Sequence, residues 1–196
     1  MNKQQQLSAI EQEILDVSLA PELAKSASRL VFGAGNHDAD IVMIGEAPGK
    51  KEDEQGEPFV GAAGKFLNEM LASIELNRSD IYITNIVKYR PPQNRDPLPE
   101  EIEAFMPFLL RQVDVIEPKL IITLGRFSMN VFLPGLKISQ VHGRPKRLKD
   151  RVFLPLYHPA AALYNGGMRE TLQQDFASIP AIINQIDNDN LKQERK

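Results

Sequence analysis

The stretch DIVMIGEAPG, residues 40–49, decides the fold. Its first part, Asp40–Gly45, is a short apolar run rich in β-branched residues, which is typical of a buried strand, and the Gly-Glu-Ala-Pro-Gly that follows turns the chain sharply. Three further runs have the same character, and each ends at a turn-like or special residue: Ile81–Val87, Pro118–Gly125 and Arg151–Tyr157. These four runs predict four buried strands.

Helical patterns lie between these strands, with apolar residues recurring on one face. The predicted helices are about Leu7–Leu19, Gly64–Leu76, Pro99–Ile116, Arg126–Phe132 and Met168–Ile186, the last bent at Pro180. Strands that alternate with helices indicate a parallel sheet that is covered on both faces. We therefore expect an α/β fold with three layers, α/β/α, around a central four-stranded, mainly parallel sheet.

Length and composition are those of a globular domain. For 196 residues we expect a single domain, 1–196, with polar tails at about 1–6 and 187–196. The chain has no cysteine, which excludes disulfides, thiolate metal sites and cysteine nucleophiles. It has no apolar run long enough for a membrane helix, and its opening residues do not predict a secretory signal. The net charge of −3 gives no global basic field, so a nucleic-acid partner would need local basic patches.

The ends of the predicted strands carry the residues with the most informative chemistry. Glu46 follows the first strand, Asn85 lies near the end of the second, and Arg126 and His158 follow the third and the fourth. Ligands of open parallel sheets bind beyond the carboxyl ends of the strands. A carboxylate, an amide and an imidazole should therefore converge on one crevice.

Three of the candidate residues also have a purely structural interpretation. Phe59, in a Pro-Phe-Val-Gly loop, either offers a flat face to a planar ligand or plugs the core beneath the loop. Asn85 interrupts an apolar strand, so its amide either reads a base edge or is satisfied by neighbouring loops. His158 either donates to an anionic leaving group or is a capped structural histidine before Pro159.

Two basic segments border the predicted crevice. Lys137–Arg151 carries six basic residues and one acid, and a weaker segment holds Lys88, Arg90 and Arg95. Loop cations in this position favour contacts with phosphates, although a run of charge is also typical of a solvated hairpin.

The chain resembles the family 4 uracil-DNA glycosylases over most of its length, from about Ser18 to Asp175. The motifs that carry the resemblance are GEAPG (45–49), EDEQGEPFVGAAG (52–64), TNIVKYRPPQNRDPLPEE (84–101), PKLIITLG (118–125) and YHPAAAL (157–163). The resemblance implies an α/β/α fold and an enzyme that removes uracil from single- or double-stranded DNA. Such an enzyme hydrolyses the N-glycosidic bond and leaves an abasic site.

The resemblance also implies a role for each matching residue. Glu46 would position or polarise the attacking water, and Phe59 would stack on the flipped uracil. Asn85 would read the Watson–Crick edge of the base, and His158 would donate a hydrogen bond to uracil O2 as negative charge develops there. Backbone groups of Gly45–Ala47 would complete the uracil pocket.

Contacts with DNA follow from the same comparison and from the basic segments. Leu163, in the short apolar loop after His158, would press toward the minor groove as a wedge. The remaining predicted DNA contacts are Lys88, Arg90, Arg144, Lys146 and Arg147. We expect a cytoplasmic, nucleoid-associated monomer that acts on uracil-containing DNA.

The chain departs from the family pattern at the four cysteines that hold a [4Fe–4S] cluster. The matching positions are about Ser18, Pro21, Tyr89 and Phe105, and none of these residues can ligate iron in that way. We therefore expect no cofactor and no metal. Our hypothesis is that Tyr89 and Phe105 fill the volume of the cluster with packed aromatic rings.

Two smaller features bear on the substrate. Tyr164 stands where an arginine often follows the family's HPxxLL segment, and RPPQNRDP (90–97) lacks the histidine of the branch that traps DNA covalently, so we expect no trapping. Glu52 is a candidate for the pocket wall that excludes thymine.

Other functions stay open at this stage. One is a relative that binds DNA or uracil without cleaving it, and another is a glycosylase for a different deaminated or damaged base. A third is an unrelated Rossmann-like nucleotide or phosphate enzyme, although no GxGxxG or GxxxxGK[ST] loop follows a strand.

Overall fold

The computed structural model describes residues 1–194 and is built around one sheet. The strands of the described part are β1 (Ala34–Gly35), β2 (Ile41–Gly45), β3 (Tyr82–Asn85), β4 (Leu120–Leu124), β5 (Lys146–Leu148) and β6 (Arg151–Leu156). Their order across the sheet is β1-β3-β2-β4-β6-β5. The inner strands β3, β2, β4 and β6 run parallel, which confirms the predicted central sheet.

The prediction of four strands was wrong in number, because the sheet has six. The additional strands, β1 and β5, are short edge strands that pair antiparallel with β3 and β6. Neither has an apolar run. The first has two residues, and the second is the charged segment Lys146–Leu148, which is suited to an exposed edge.

The helices that pack on the sheet match most of the predicted ones. They are α1 (Lys3–Asp16), α2 (Pro21–Ser26), α3 (Lys50–Gln55), α4 (Ala62–Ala72), α5 (Pro99–Ile116), α6 (Arg126–Phe132), α7 (Ile138–Val141), α8 (Gly166–Ala177) and α9 (Ile179–Glu194). The short helices α2, α3 and α7 were not predicted, because six residues or fewer show little periodicity.

Three helix boundaries differ from the prediction for identifiable reasons. Helix α1 begins at Lys3 because the Asn2 side chain accepts a hydrogen bond from the backbone N–H of Gln5, so most of the expected first tail is helical. The expected bent helix is two helices, which meet at Ser178, because Pro180 cannot continue the preceding hydrogen-bond ladder. Helix α9 runs through most of the expected second tail; residues 195–196 of that tail lie outside the described residues.

The core lies on both faces of the sheet, as alternate residues of β2 show. Val42 and Ile44 pack under α1, α5 and α6, whereas Ile41 and Met43 pack under α4, α8 and α9. This arrangement confirms the three layers. Among the described residues, no helix combines the length and apolar character needed to cross a bilayer.

Candidate active site

A pocket of about 340 Å³ lies at the carboxyl ends of the parallel strands, where the sequence predicts a site. Its walls include Glu46, Ala47, Phe59, Asn85 and His158. The structure therefore brings together the residues from the ends of β2, β3 and β6, and adds the loop that carries Phe59.

Gly45 allows these walls to approach one another closely. A Cβ at this position would lie 2.4 Å from Asn85 Oδ1 and 2.6 Å from Phe59 Cε2, so any side chain here would displace both residues. Phe59 is 6% exposed, and its ring stacks on His158 with 5.5 Å between ring centroids. Phe59 thus belongs to the core and also presents a face to the pocket.

Asn85 lies at the pocket floor with an unsatisfied polar atom. The residue is 1% exposed, and its side-chain Oδ1 accepts no hydrogen bond from any residue that the structure describes. Leaving a buried acceptor unpaired costs about 1–3 kcal/mol. The alternative in which neighbouring loops satisfy this oxygen does not fit the structure. The amide instead offers a free acceptor to a ligand.

His158 is held as a neutral hydrogen-bond donor. It precedes the 3₁₀ turn Pro159–Leu163, and its Nδ1 accepts a hydrogen bond from the backbone N–H of Ala160 at 3.2 Å. Because Nδ1 is the acceptor, the ring proton belongs on Nε2. Burial lowers the pKa of His158 to about 4, against a smaller opposing effect of Glu52, so the imidazole is uncharged at neutral pH. The residue both caps the turn and lines the pocket.

Glu46 is a partly buried carboxyl group whose pKa is shifted by two nearby charges, those of Asp96 and Arg126. Burial, and then the negative charge of Asp96, raise the pKa of Glu46 to about 7, while Arg126 lowers it. Asp96 Oδ2 and Arg126 Nη2 form an ion pair at 3.3 Å. Arg126 lies two residues after the end of β4, and its place at that strand end is already predicted from the sequence. Asp96 has no such signal, because it comes from a loop whose path has no periodic pattern.

Glu52 lines the pocket but also organises the loop beside it. Its Oε1 accepts hydrogen bonds from the backbone N–H groups of Val60 at 2.9 Å and Gly61 at 2.8 Å. Its place on the wall is compatible with the expected exclusion of thymine, which stays a prediction.

Lys88 does not fit the predicted contact with DNA. It is 0% exposed, and its ammonium group donates to Thr84 Oγ1 at 2.6 Å and to the backbone oxygen of Asn85 at 2.8 Å. Burial holds the pKa of Lys88 well below its usual value. The residue points into the core because it lies between the buried end of β3 and Phe32, so phosphates cannot reach it.

The other predicted DNA contacts lie at different distances from the pocket. Arg90 precedes the loop segment Pro91–Arg95 at the pocket wall and donates to Asn94 Oδ1 at 2.7 Å. Leu163 ends the turn that His158 begins and is 38% exposed.

The remaining predicted cations lie on or beside β5. In the β5–β6 ladder Arg147 pairs with Val152. The pocket end of β6 is Leu156, four residues further on, so Arg147 lies roughly 13 Å from it along the strand. Lys146 lies one residue nearer to the pocket end, opposite Phe153, and Arg144 is exposed beyond the strand. Of these three, Arg144 lies nearest to the pocket end of β6.

Comparisons with known proteins agree with this fold. Residues 32–179 match the model of the uracil DNA glycosylase superfamily, and the chain belongs to that superfamily. Three relatives are each named type-4 uracil-DNA glycosylase. The protein of Archaeoglobus fulgidus is 49% identical over 81% of this chain and 84% of its own length. The protein of Sulfurisphaera tokodaii is 43% identical over 88% of this chain and 83% of its own length. The protein of Saccharolobus solfataricus is 46% identical over 81% of this chain and 78% of its own length.

The residues that the resemblance matches to cluster ligands do not fit an iron–sulfur cluster. Tyr89 and Phe105 are 6% and 0% exposed and pack edge to face, with 6.0 Å between ring centroids. Both belong to the core under α1 and α5. The hypothesis that two aromatic rings occupy this volume agrees with the structure, and the chain has no thiolate with which to hold iron.

Proposed function

We propose that this protein excises uracil from DNA by hydrolysis of the N-glycosidic bond. The observation that carries the proposal is the unpaired, buried Oδ1 of Asn85 beside the face of Phe59 and the neutral imidazole of His158. Uracil supplies what each group lacks: a planar ring, an N3–H donor and a carbonyl acceptor.

The base is held in the pocket after it leaves the stack. Phe59 stacks on the flipped ring, Asn85 accepts from N3–H and donates to O4, and the Gly45–Ala47 backbone closes the pocket. Extruding a base costs a few kcal/mol, and uracil pairs weakly enough for the pocket contacts to offset that cost. Leu163 fills the space that the base leaves.

Cleavage of the glycosidic bond is favoured by groups that stabilise the charges formed as it breaks. As the glycosidic bond breaks, negative charge grows on uracil O2 and positive charge grows on the deoxyribose. Nε2–H of His158 donates to O2; because the ring starts neutral, it stabilises the leaving anion by a hydrogen bond and keeps its proton. The Glu46 carboxylate orients the water that attacks C1′ and favours the sugar cation.

The protein is proposed to act as a single-domain monomer, in the cytoplasm at the nucleoid. Its substrate is uracil in single- or double-stranded DNA. Arg90, Arg144, Lys146 and Arg147 are the proposed phosphate contacts, and the first two lie nearest to the pocket end of the sheet.

The test uses an end-labelled single-stranded oligonucleotide with one uracil, followed by alkali to break abasic sites. We expect cleavage at uracil and none in strands with thymine or cytosine at that position. The Asn85→Ala variant should lose most of this activity, whereas Arg111→Lys, a change in a surface ion pair with Glu13, should not.

A folded protein that binds the strand but never cleaves it would refute the proposal and favour a relative that binds DNA or uracil without cleaving it. Cleavage at a different base would instead move the substrate to another form of DNA damage.

A further inference from the structure

The position of the Phe59 ring depends on a backbone conformation that side chains rarely adopt. Phe59 has a φ of +53°, in the left-handed region. The loop lies outside the helices and strands, so no repeating hydrogen-bond ladder holds it. Other contacts must therefore keep the ring at the pocket.

Two side chains of opposite charge each bind two backbone groups of this loop, one group from each of four consecutive residues, 58–61. The Arg78 guanidinium donates to the carbonyl oxygen of Phe59 at 3.0 Å and to that of Pro58. The Glu52 carboxylate accepts from the next two N–H groups, those of Val60 and Gly61. The cation thus holds the acceptors, and the anion holds the donors.

Arg78 reaches the loop from outside the pocket. It begins the 3₁₀ turn Arg78–Asp80 that leads into β3, and its Nη1 also donates to Asn68 Oδ1 of α4 at 3.4 Å. A Cβ at Gly64, which also belongs to α4, would lie 1.8 Å from the Phe59 carbonyl oxygen, so α4 packs directly against that carbonyl. The same carbonyl is therefore enclosed by α4 and by the guanidinium.

We propose that Arg78 is a positioning residue, which acts on the flipped base through Phe59. The inference rests on the proposed function, because it assigns the Phe59 face to uracil. A guanidinium presents a planar fork of donors and can serve both carbonyls and Asn68 at once, whereas a lysine ammonium cannot match that geometry. Without the fork, the loop leaves the left-handed conformation for part of the time, and the ring leaves the pocket with it.

The experiment compares Arg78→Ala and Arg78→Lys with Arg111→Lys as the matched surface control. Three quantities are measured: the single-turnover rate on uracil-containing DNA, the inhibition constant of free uracil, and the dissociation constant for DNA with an abasic site. We expect Arg78→Ala to lower the rate and raise the uracil inhibition constant about 10- to 100-fold, since small misplacements near a reacting group have effects of that size. Binding of abasic DNA should stay unchanged, because no base fills the pocket there.

A further arm adds millimolar guanidinium chloride to Arg78→Ala, with sodium chloride as the ionic-strength control. Guanidinium should restore part of the lost rate in Arg78→Ala and none in Phe59→Ala. Arg78→Lys should keep less than half of the uracil affinity that Arg78→Ala loses relative to the wild type.

Each outcome decides. The inference fails if Arg78→Ala lowers the melting temperature but keeps the wild-type rate and uracil affinity, because Arg78 would then be merely structural. If Arg78→Ala does not fold, the same result in Arg78→Lys has the same meaning. If the wild type binds free uracil without cleaving DNA, the proposed function fails, and the uracil affinities of the variants still test Arg78. A wild type that neither binds nor cleaves overturns both.

Discussion

Replacing Asp96 with Asn should shift the pH dependence of uracil excision toward lower pH. In the proposed mechanism Glu46 acts as a carboxylate, and its pKa of about 7 means that much of it is protonated in slightly acidic solution. Burial is the larger cause of this raised pKa and remains in the variant. Asp96 is the second cause, and the Asn side chain removes its negative charge.

The size of the effect follows from the titration of a single group. With a pKa of about 7, about a tenth of the molecules carry the Glu46 carboxylate at pH 6 and about nine tenths at pH 8. The wild-type rate should therefore rise about tenfold across that interval. In Asp96→Asn the midpoint falls but stays above 4.5, the ordinary value for a glutamate, so the ratio of the variant rate to the wild-type rate grows as the pH falls below 7.

The assay is the second-order rate constant for cleavage of a single-stranded uracil substrate between pH 5.5 and 8.5, which reports the free enzyme. Arg126→Gln is the matched opposite, because Arg126 lowers the pKa of Glu46 and its loss should move the midpoint upward. Glu46→Gln should be slow and independent of pH. The Asp96–Arg126 pair is exposed, so both shifts should shrink in high salt.

Two results would refute this reasoning. One is a wild-type rate that is flat between pH 6 and 8. The other is a pair of variants, Asp96→Asn and Arg126→Gln, whose midpoints move in the same direction.

Three other predictions concern separate parts of the molecule. His158→Ala should lower the single-turnover rate about 10²-fold or more through loss of the donor to O2, and an unchanged rate would exclude that role. Phe105→Ala should reduce the free energy of unfolding by about 3–5 kcal/mol in urea titrations, because the ring is fully buried; a change below 1 kcal/mol would contradict its place in the core. Arg90→Ala should reduce the salt slope of DNA binding by about one, and a slope equal to that of the wild type would remove Arg90 from the interface.

The central strands and the residues at their ends could be predicted from the sequence. The β2 run Ile41–Gly45 is apolar on both faces, and the carboxyl-end rule then places Glu46, Asn85 and His158 together. Both steps depend on patterns within a few residues of one another, which sequence periodicity records well.

The residues that tune the site could not be predicted in the same way. Asp96 and Arg78 belong to irregular segments, and their contacts depend on how those segments pack against distant parts of the chain. Lys88 was misjudged because composition treats a lysine in a basic loop as exposed, whereas the end of β3 turns this one inward. In segments without a regular repeat of apolar residues, tertiary packing alone determines which groups a charged side chain contacts.

The aromatic pair of Tyr89 and Phe105 has a consequence for how the protein reaches its working form. A protein built around an iron–sulfur cluster needs iron and sulfide to be inserted after synthesis, and its fold then depends on keeping them. In this chain the aromatic side chains of Tyr89 and Phe105 fill the region that the resemblance assigns to the cluster, and both belong to the polypeptide itself. We therefore expect this chain to refold from denaturant in air, in the presence of a chelator, with its full activity.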